Sequence, residues 1–127
     1  MTTPILIAEY SHDWPSLFAA ERTRLASVLQ DSAFQIEHIG STAVPGLAAK
    51  PIIDIMVGAG SLAEIERHLA LLAELGYQYF PQHERELPQR RFFARSASGH
   101  RLCHVHAVTR ASPFWVEHLA IRDALRT

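Results

Sequence analysis

The sequence predicts an α/β (α+β) fold, a mixed β-sheet with helices packed on it, and three observations predict it. Apolar and alternating runs of strand length stand at 34–39 ("FQIEHI") and 51–57 ("PIIDIMV"). Two more, "RRFFARS" (90–96) and "RLCHVHAV" (101–108), are joined by "ASGH", a hairpin signal that makes the sheet mixed. Helical patterns precede, separate and follow these runs, giving the order α-β-β-α-β-β-β-α.

Each element has its own signal. "PILIAEY" (4–10) reads as an edge strand or an extended arm. A helix follows, with Asp13 as N-cap, Pro15 in the first turn, and Leu17, Phe18, Leu25, Val28 and Leu29 on one stripe. In 34–39, Ile36, His38 and Gly40 share one side of the strand, and Gln35, Glu37 and Ile39 the other. "STAVPGLAA" (41–49) is a connector with room for one helical turn. "PIIDIMV" is apolar on both faces, which places it inside the sheet, with Ile52, Asp54 and Met56 on one face. Ser61 and Glu64 form a capping box; Leu62, Ile65, Leu69 and Leu72 make the stripe of a helix that Gly76 closes. "YQYF" (77–80) is a short strand and "PQHERELPQ" (81–89) a polar loop. Ser112 as N-cap and Pro113 at the first position open a last helix, whose apolar residues form no clean stripe.

The 127 residues suit one domain, 1–127, with one core. Twelve basic residues against 13 acidic ones argue against a polybasic nucleic-acid surface, though not against a local basic pocket. The single cysteine, Cys103, has no internal disulfide partner and points to a reducing, cytoplasmic setting. No apolar run is long enough for a membrane span, so no membrane partner is expected.

Four short stretches carry residue types with chemistry. Gly40-Ser41-Thr42 follows a strand; glycine permits the tight turn, and backbone N–H groups with two hydroxyls can surround a phosphate. The alternative is a plain turn with Ser41 as a cap, and "GLAAK" lacks the glycine and hydroxyl of a Walker A loop. Asp54 sits in an otherwise apolar strand, where a carboxylate needs a partner or a cation. His104 and His106, two apart, share one strand face, a spacing that suits metal ligands or a phosphate-binding pair, and His38 leaves another strand in the same alternating way. Arg90 and Arg91 offer guanidinium groups, but alternation lets only one of them face a given pocket.

Taken in order, "YSHDWPSLFAAE" (10–21), "IEHIGSTAVPGLAAKPIIDIMV" (36–57), "LGYQY" (75–79), "RRFF" (90–93), "CHVHAV" (103–108) and "HLAIRDALR" (118–126) resemble the GrpB family over nearly the whole chain. The resemblance implies a nucleotidyltransferase-like fold. In that superfold a Gly-Ser after a strand leads to a helix and then to a strand carrying two carboxylates; a third comes from a later strand, and together they hold two Mg²⁺ ions on a triphosphate. Carried onto this chain, Gly40 and Ser41 match the Gly-Ser and Asp54 the first carboxylate. Met56 stands at the second, a position that looks apolar across the family, and His104 or His106 at the third. One Asp with two His suits Zn²⁺, Mn²⁺ or Ni²⁺, or a metal-free phosphate pocket, better than two Mg²⁺.

The expected site residues are therefore Asp54, His104 and His106 as acid/base groups. Gly40, Ser41, Thr42, Lys50, Arg90 and Arg91 are expected on a phosphate, and Asp54, His38, His104 and His106 on a divalent metal. The expected ligand is a nucleotide or another phosphorylated small molecule. The alternative, favoured by Met56 and by the shortened C-terminus relative to the family, is a non-catalytic accessory or ligand-sensing module; some members are fused to dephospho-CoA kinase. Members usually continue past the "IRDALR"-like segment into more helix, so a homodimer or protein partner is expected to cover apolar surface here.

Overall fold

The computed structural model describes residues 6–30 and 33–127. Eleven short elements follow one another: helix α1 (Asp13–Ala26), strand β1 (Gln35–Ile39), a 3₁₀ turn (Ser41–Ala43), β2 (Ile53–Ala59), α2 (Leu62–Glu66), α3 (Leu69–Glu74), β3 (Gln78–Tyr79), a second 3₁₀ turn (Pro81–Arg85), β4 (Arg91–Ala97), β5 (His100–Thr109) and α4 (Pro113–Arg126). The strands form one sheet in the order β1-β2-β5-β4-β3. Only β2 and β5 run parallel; the other three pairings are antiparallel, so the sheet is mixed. Of the arm at 4–10, residues 4 and 5 lie outside the described residues. The rest makes a single antiparallel bridge, Ala8 to Ala49, with both N···O distances 2.9 Å.

The parallel register sorts the side chains. Ile53 lies opposite Cys103, Ile55 opposite Val105 and Val57 opposite Ala107, all on one face. That face packs against Trp14 and Leu25 of α1, Ile65 of α2 and Leu72 of α3. Burying a large aliphatic or aromatic side chain of this kind is worth about 1.5–3 kcal/mol relative to leaving it in water, so this layer dominates the stability. The other face carries Asp54 and Met56 of β2 and His104, His106 and Val108 of β5. There α4 covers Met56, Ile39 and Val108 with Trp115. Gly58 lets it do so: a Cβ at that position would fall 2.6 Å from Trp115 Cζ3.

Four local expectations need correction. In α1 the buried residues are Trp14, Glu21 and Leu25, while Leu17 is 52% exposed, so the inward stripe runs through Trp14, half-buried Phe18 and Glu21. Asp13 lies inside the helix and is not its N-cap; the Ser11 hydroxyl accepts from the Asp13 N–H at 3.1 Å. The helix expected over 61–76 breaks into α2 and α3 at Arg67–His68. The His68 ring Nδ1 lies 2.8 Å from the Glu64 carbonyl and competes with the helical backbone, and the His68 N–H turns to Ile65 O in a tighter i→i+3 bond. The stretch 81–89 is not wholly a loop, since Pro81 opens a 3₁₀ turn. Half of the expected capping box forms: Glu64 N–H donates to the N-cap Ser61 Oγ, while the Glu64 carboxylate accepts from Gly60 N–H, one residue before the cap. The β4–β5 hairpin closes through Ser98 and Gly99 at φ 52° and 77°, the left-handed pair that a two-residue turn requires.

Candidate functional site

Strand parity brings three of the expected residues together. Asp54 on β2 lies opposite His104 on β5, and His106 follows two residues on, so all three project from the same face. His106 Nε2 is 3.1 Å from Asp54 Oδ1, and His104 Nδ1 is 3.6 Å from the same oxygen. Each imidazole has an arginine behind it. Arg90 Nη1 lies 3.2 Å from His106 Nδ1, and Arg101 Nη1 lies 3.2 Å from His104 Nε2. A guanidinium only donates, so His106 Nδ1 must be the unprotonated, accepting nitrogen. His106 Nε2–H then donates to Asp54. The result is a chain of five side chains, Arg90–His106–Asp54–His104–Arg101.

The charges follow from this packing. Burial alone would raise the Asp54 carboxyl, but the imidazoles of His104 and His106 outweigh it and hold the group at about 2. Burial lowers His106 more than Asp54 raises it, and Arg90 pushes the same way. At neutral pH the site thus contains a carboxylate and, at His106, a neutral N–H donor. Asp54 Oδ2 is turned towards Gly40, where a Cβ would stand 2.9 Å from it. Gly40 is held at φ 75°, so two independent constraints, the left-handed backbone and the close carboxylate, call for glycine.

Asp54 and His104 line a cleft of about 360 Å³ together with Ser41, Thr42 and Lys50. The turn after β1 and the cation at 50 therefore share a hollow with the carboxylate, in the size range of small-molecule sites. Arg90 reaches the cluster through His106 and lies over the Phe92 ring at 5.0 Å.

Two expected residues lie elsewhere. Arg91 is on the helix face, bound to Glu66 at 2.9 Å and Glu84 at 3.3 Å. His38 is also across the sheet from Asp54. In the antiparallel β1–β2 register Ile39, not His38, sits opposite Asp54. His38 instead meets Thr42 Oγ1 at 2.9 Å and stacks on Phe18 with ring centroids 4.7 Å apart. Burial, with Arg126 next in effect, lowers His38 to about 4.

The donor set does not fit a resident metal. One Asp54 oxygen serves both imidazoles, the outer nitrogens face arginines, and His38 is on the wrong side. Among the described residues no group of three His, Cys, Asp or Glu side chains is arranged to hold a metal ion. Met56 is fully buried in the small core beneath α4, so the position two residues on from Asp54 faces protein, not a ligand.

Several neighbours were not singled out from sequence. Phe92 lies 5.2 Å from the His104 ring and 5.3 Å from His106, and Phe114 of α4 lies 5.7 Å from His106. The sequence marks Arg101 only as a strand residue. Phe92 carried a signal, since alternation puts it on the side of Arg90; Phe114 and Arg101 carried none.

Comparison with known proteins places the chain. The family model described as "GrpB protein" matches residues 4–127. The Glutamate-rich protein GrpB of Alkalihalophilus pseudofirmus is 32% identical over 125 residues, covering 95% of this chain and 71% of that protein. The UPF0157 protein YqkA of Bacillus subtilis is 34% identical over 117 residues, covering 92% of this chain but 33% of its own length. Among solved structures, the crystal structure of conserved protein GrpB from Enterococcus faecalis superposes with a TM-score of 0.85 at 34% identity, covering 95% of this chain and 72% of that one. With its sheet, helix placement and nearly full-length match in agreement, the chain belongs to the GrpB family.

Proposed function

We propose that this GrpB-family chain has a nucleotidyltransferase-like fold and binds a nucleotide or another phosphorylated small molecule in the cleft of Ser41, Thr42, Lys50, Asp54 and His104. The observation that carries the reading is the pairing, in one hollow, of a carboxylate held ionised at neutral pH with a lysine and a glycine-led hydroxyl turn. Lys50 and the Gly40–Thr42 turn take the phosphate. Asp54 Oδ2, free of the imidazoles, accepts a hydroxyl or amino hydrogen from the rest of the ligand. His104 and Asp54 are the groups placed to assist proton transfer, with His106 orienting the carboxylate. Calorimetry with a nucleotide panel, with and without divalent metal, tests this. Binding to the wild type that weakens in Asp54→Ala and His104→Ala supports it; no binding, or unchanged binding in both variants, removes its basis.

A specific observation favours binding without turnover. Met56 is sealed under α4, and His106 has both nitrogens engaged, so no second carboxylate stands beside Asp54 and His106 is not free to act as a base. On this second reading the domain is an accessory or sensing module whose protein partner, or second copy, meets the exposed apolar residues of α4, Val116, Ile121 and Leu125. Recovery of a stable complex without turnover on any nucleotide supports it; steady turnover rejects it. A cytoplasmic setting agrees with both readings. Cys103 is a buried thiol pushed up to about 12 by burial, and among the described residues no helix is long and apolar enough to cross a membrane.

A further inference from the structure

A second hollow lies on the opposite side of the 3₁₀ turn, between α1, β1 and the C-terminal half of α4. It measures about 430 Å³ and is lined by Tyr10, Arg22, His38, Thr42, Arg122 and Arg126, among others. Three arginines from two helices line it, Arg22, Arg122 and Arg126, with one carboxylate residue, Glu37. Arg122 is committed, donating to Glu37 Oε1 at 2.7 Å and to His38 O at 3.2 Å. Among the described residues Arg126 donates only its Nε, to Ala43 O at 2.8 Å, and its two terminal nitrogens have no partner there. Among the described residues no acidic side chain pairs with Arg22 or with Arg126. Two positive charges are thus uncompensated in a concave site with a rigid floor of His38 stacked on Phe18.

We infer that this hollow is an anion site, separate from the Asp54 cleft, that takes a dianionic phosphate group. Arg22 and Arg126 supply the charge, Arg126 presents a planar pair of N–H donors, and Tyr10 and Thr42, which also line the hollow, bring hydroxyl groups. Guanidinium forks match phosphate oxygens in pairs, and two of them in a hollow balance two negative charges. Thr42 borders both hollows, and its hydroxyl is within hydrogen-bond distance of His38. The inference does not depend on the Asp54 cleft being occupied.

The test is an NMR titration of the intact chain with inorganic phosphate at about pH 7.5, where a phosphate monoester is mostly dianionic. The ring signals of His38 report this hollow and those of His104 report the other. Saturable movement of the His38 signals is expected, weakened at least about fivefold in Arg22→Gln and in Arg126→Gln and unchanged in Lys50→Ala, with succinate producing a smaller effect. Arg22 is exposed and, among the described residues, has no acidic partner to lose, so its variant isolates charge from folding. If Arg22→Gln and Arg126→Gln titrate like the wild type, or if His38 does not move, the inference is wrong. If only the His104 signals move, and only Lys50→Ala weakens them, phosphate binds in the Asp54 cleft; that outcome supports the proposed function and overturns this one.

Discussion

His106 explains more of the site than any other residue. Its Nδ1 accepts from Arg90 and its Nε2–H donates to Asp54, so one neutral ring links a cation to an anion. Replacing Arg90 with Ala removes the adjacent cation and opens the site to water, and both changes favour the imidazolium. The pKa of His106 is therefore expected to rise in Arg90→Ala, as followed by NMR titration of the ring; no rise would contradict the assigned tautomer. His38 acts through stability. Its folded-state pKa of about 4 lies below the ordinary 6.5, so between these values the unfolded chain binds more protons. Stability is then complete above about pH 6.5 and declines as pH falls towards 4, with His106 contributing in the same direction. Asp54, depressed from 3.8 to about 2, adds a further loss as pH falls through that lower window. Urea denaturation across this range is expected to show both slopes, the upper one shallower in His38→Gln. At this scale the sequence was half legible. His104 and His106 share a face by parity within one strand, but Asp54 joins them only through the parallel pairing of β2 with β5, 50 residues apart. The antiparallel register that turns His38 away depends on which strands pair, and nothing local to "EHIG" reveals it.

Helix α4 turns the second face of the sheet into a closed core at one end and an open site at the other. Trp115 seats on Gly58, so Gly58→Ala is expected to cost about 1–3 kcal/mol in chemical denaturation, as overpacking does, while leaving the Asp54 cleft formed. An unchanged midpoint would mean that Trp115 is not fixed there. Strands β1, β2, β4 and β5 were legible because their residues alternate or are uniformly apolar and turn residues bound them. The stripe expected for α1 leaves out Glu21, because a carboxylate carries no apolar signal. Glu21 is in fact buried, bound by Tyr77 and by Arg95, 74 residues away, which keep its carboxyl lowered although burial alone would raise it. Replacing Glu21 with Gln leaves Arg95 with a neutral partner, and a loss of about 3–5 kcal/mol is expected by denaturation, the range for breaking a buried pair. The break between α2 and α3 was invisible for a similar reason, since it depends on one His68 ring nitrogen reaching back to a carbonyl.

The whole molecule is a thin three-layer object, with α1–α3 on one face of the sheet and α4 on part of the other, and the turn at Ser41–Ala43 separates two hollows. One holds a carboxylate with a lysine, the other an excess of arginines. Because phosphate binding in either hollow rests on charge, affinity is expected to fall as salt rises, most steeply where the cation is exposed. Family membership was legible from the order of the motifs; the placing of the two hollows depends on tertiary structure alone. The most direct measurement is calorimetry of a panel of nucleotides and phosphorylated small molecules against wild type, Lys50→Ala, Asp54→Asn and Arg91→Ala, the last on the opposite face of the sheet. At least one ligand is expected to bind wild type and Arg91→Ala alike and to weaken at least about tenfold, or about 1.4 kcal/mol, in the other two. Equal affinity across all four proteins, or no binding by any, would contradict it.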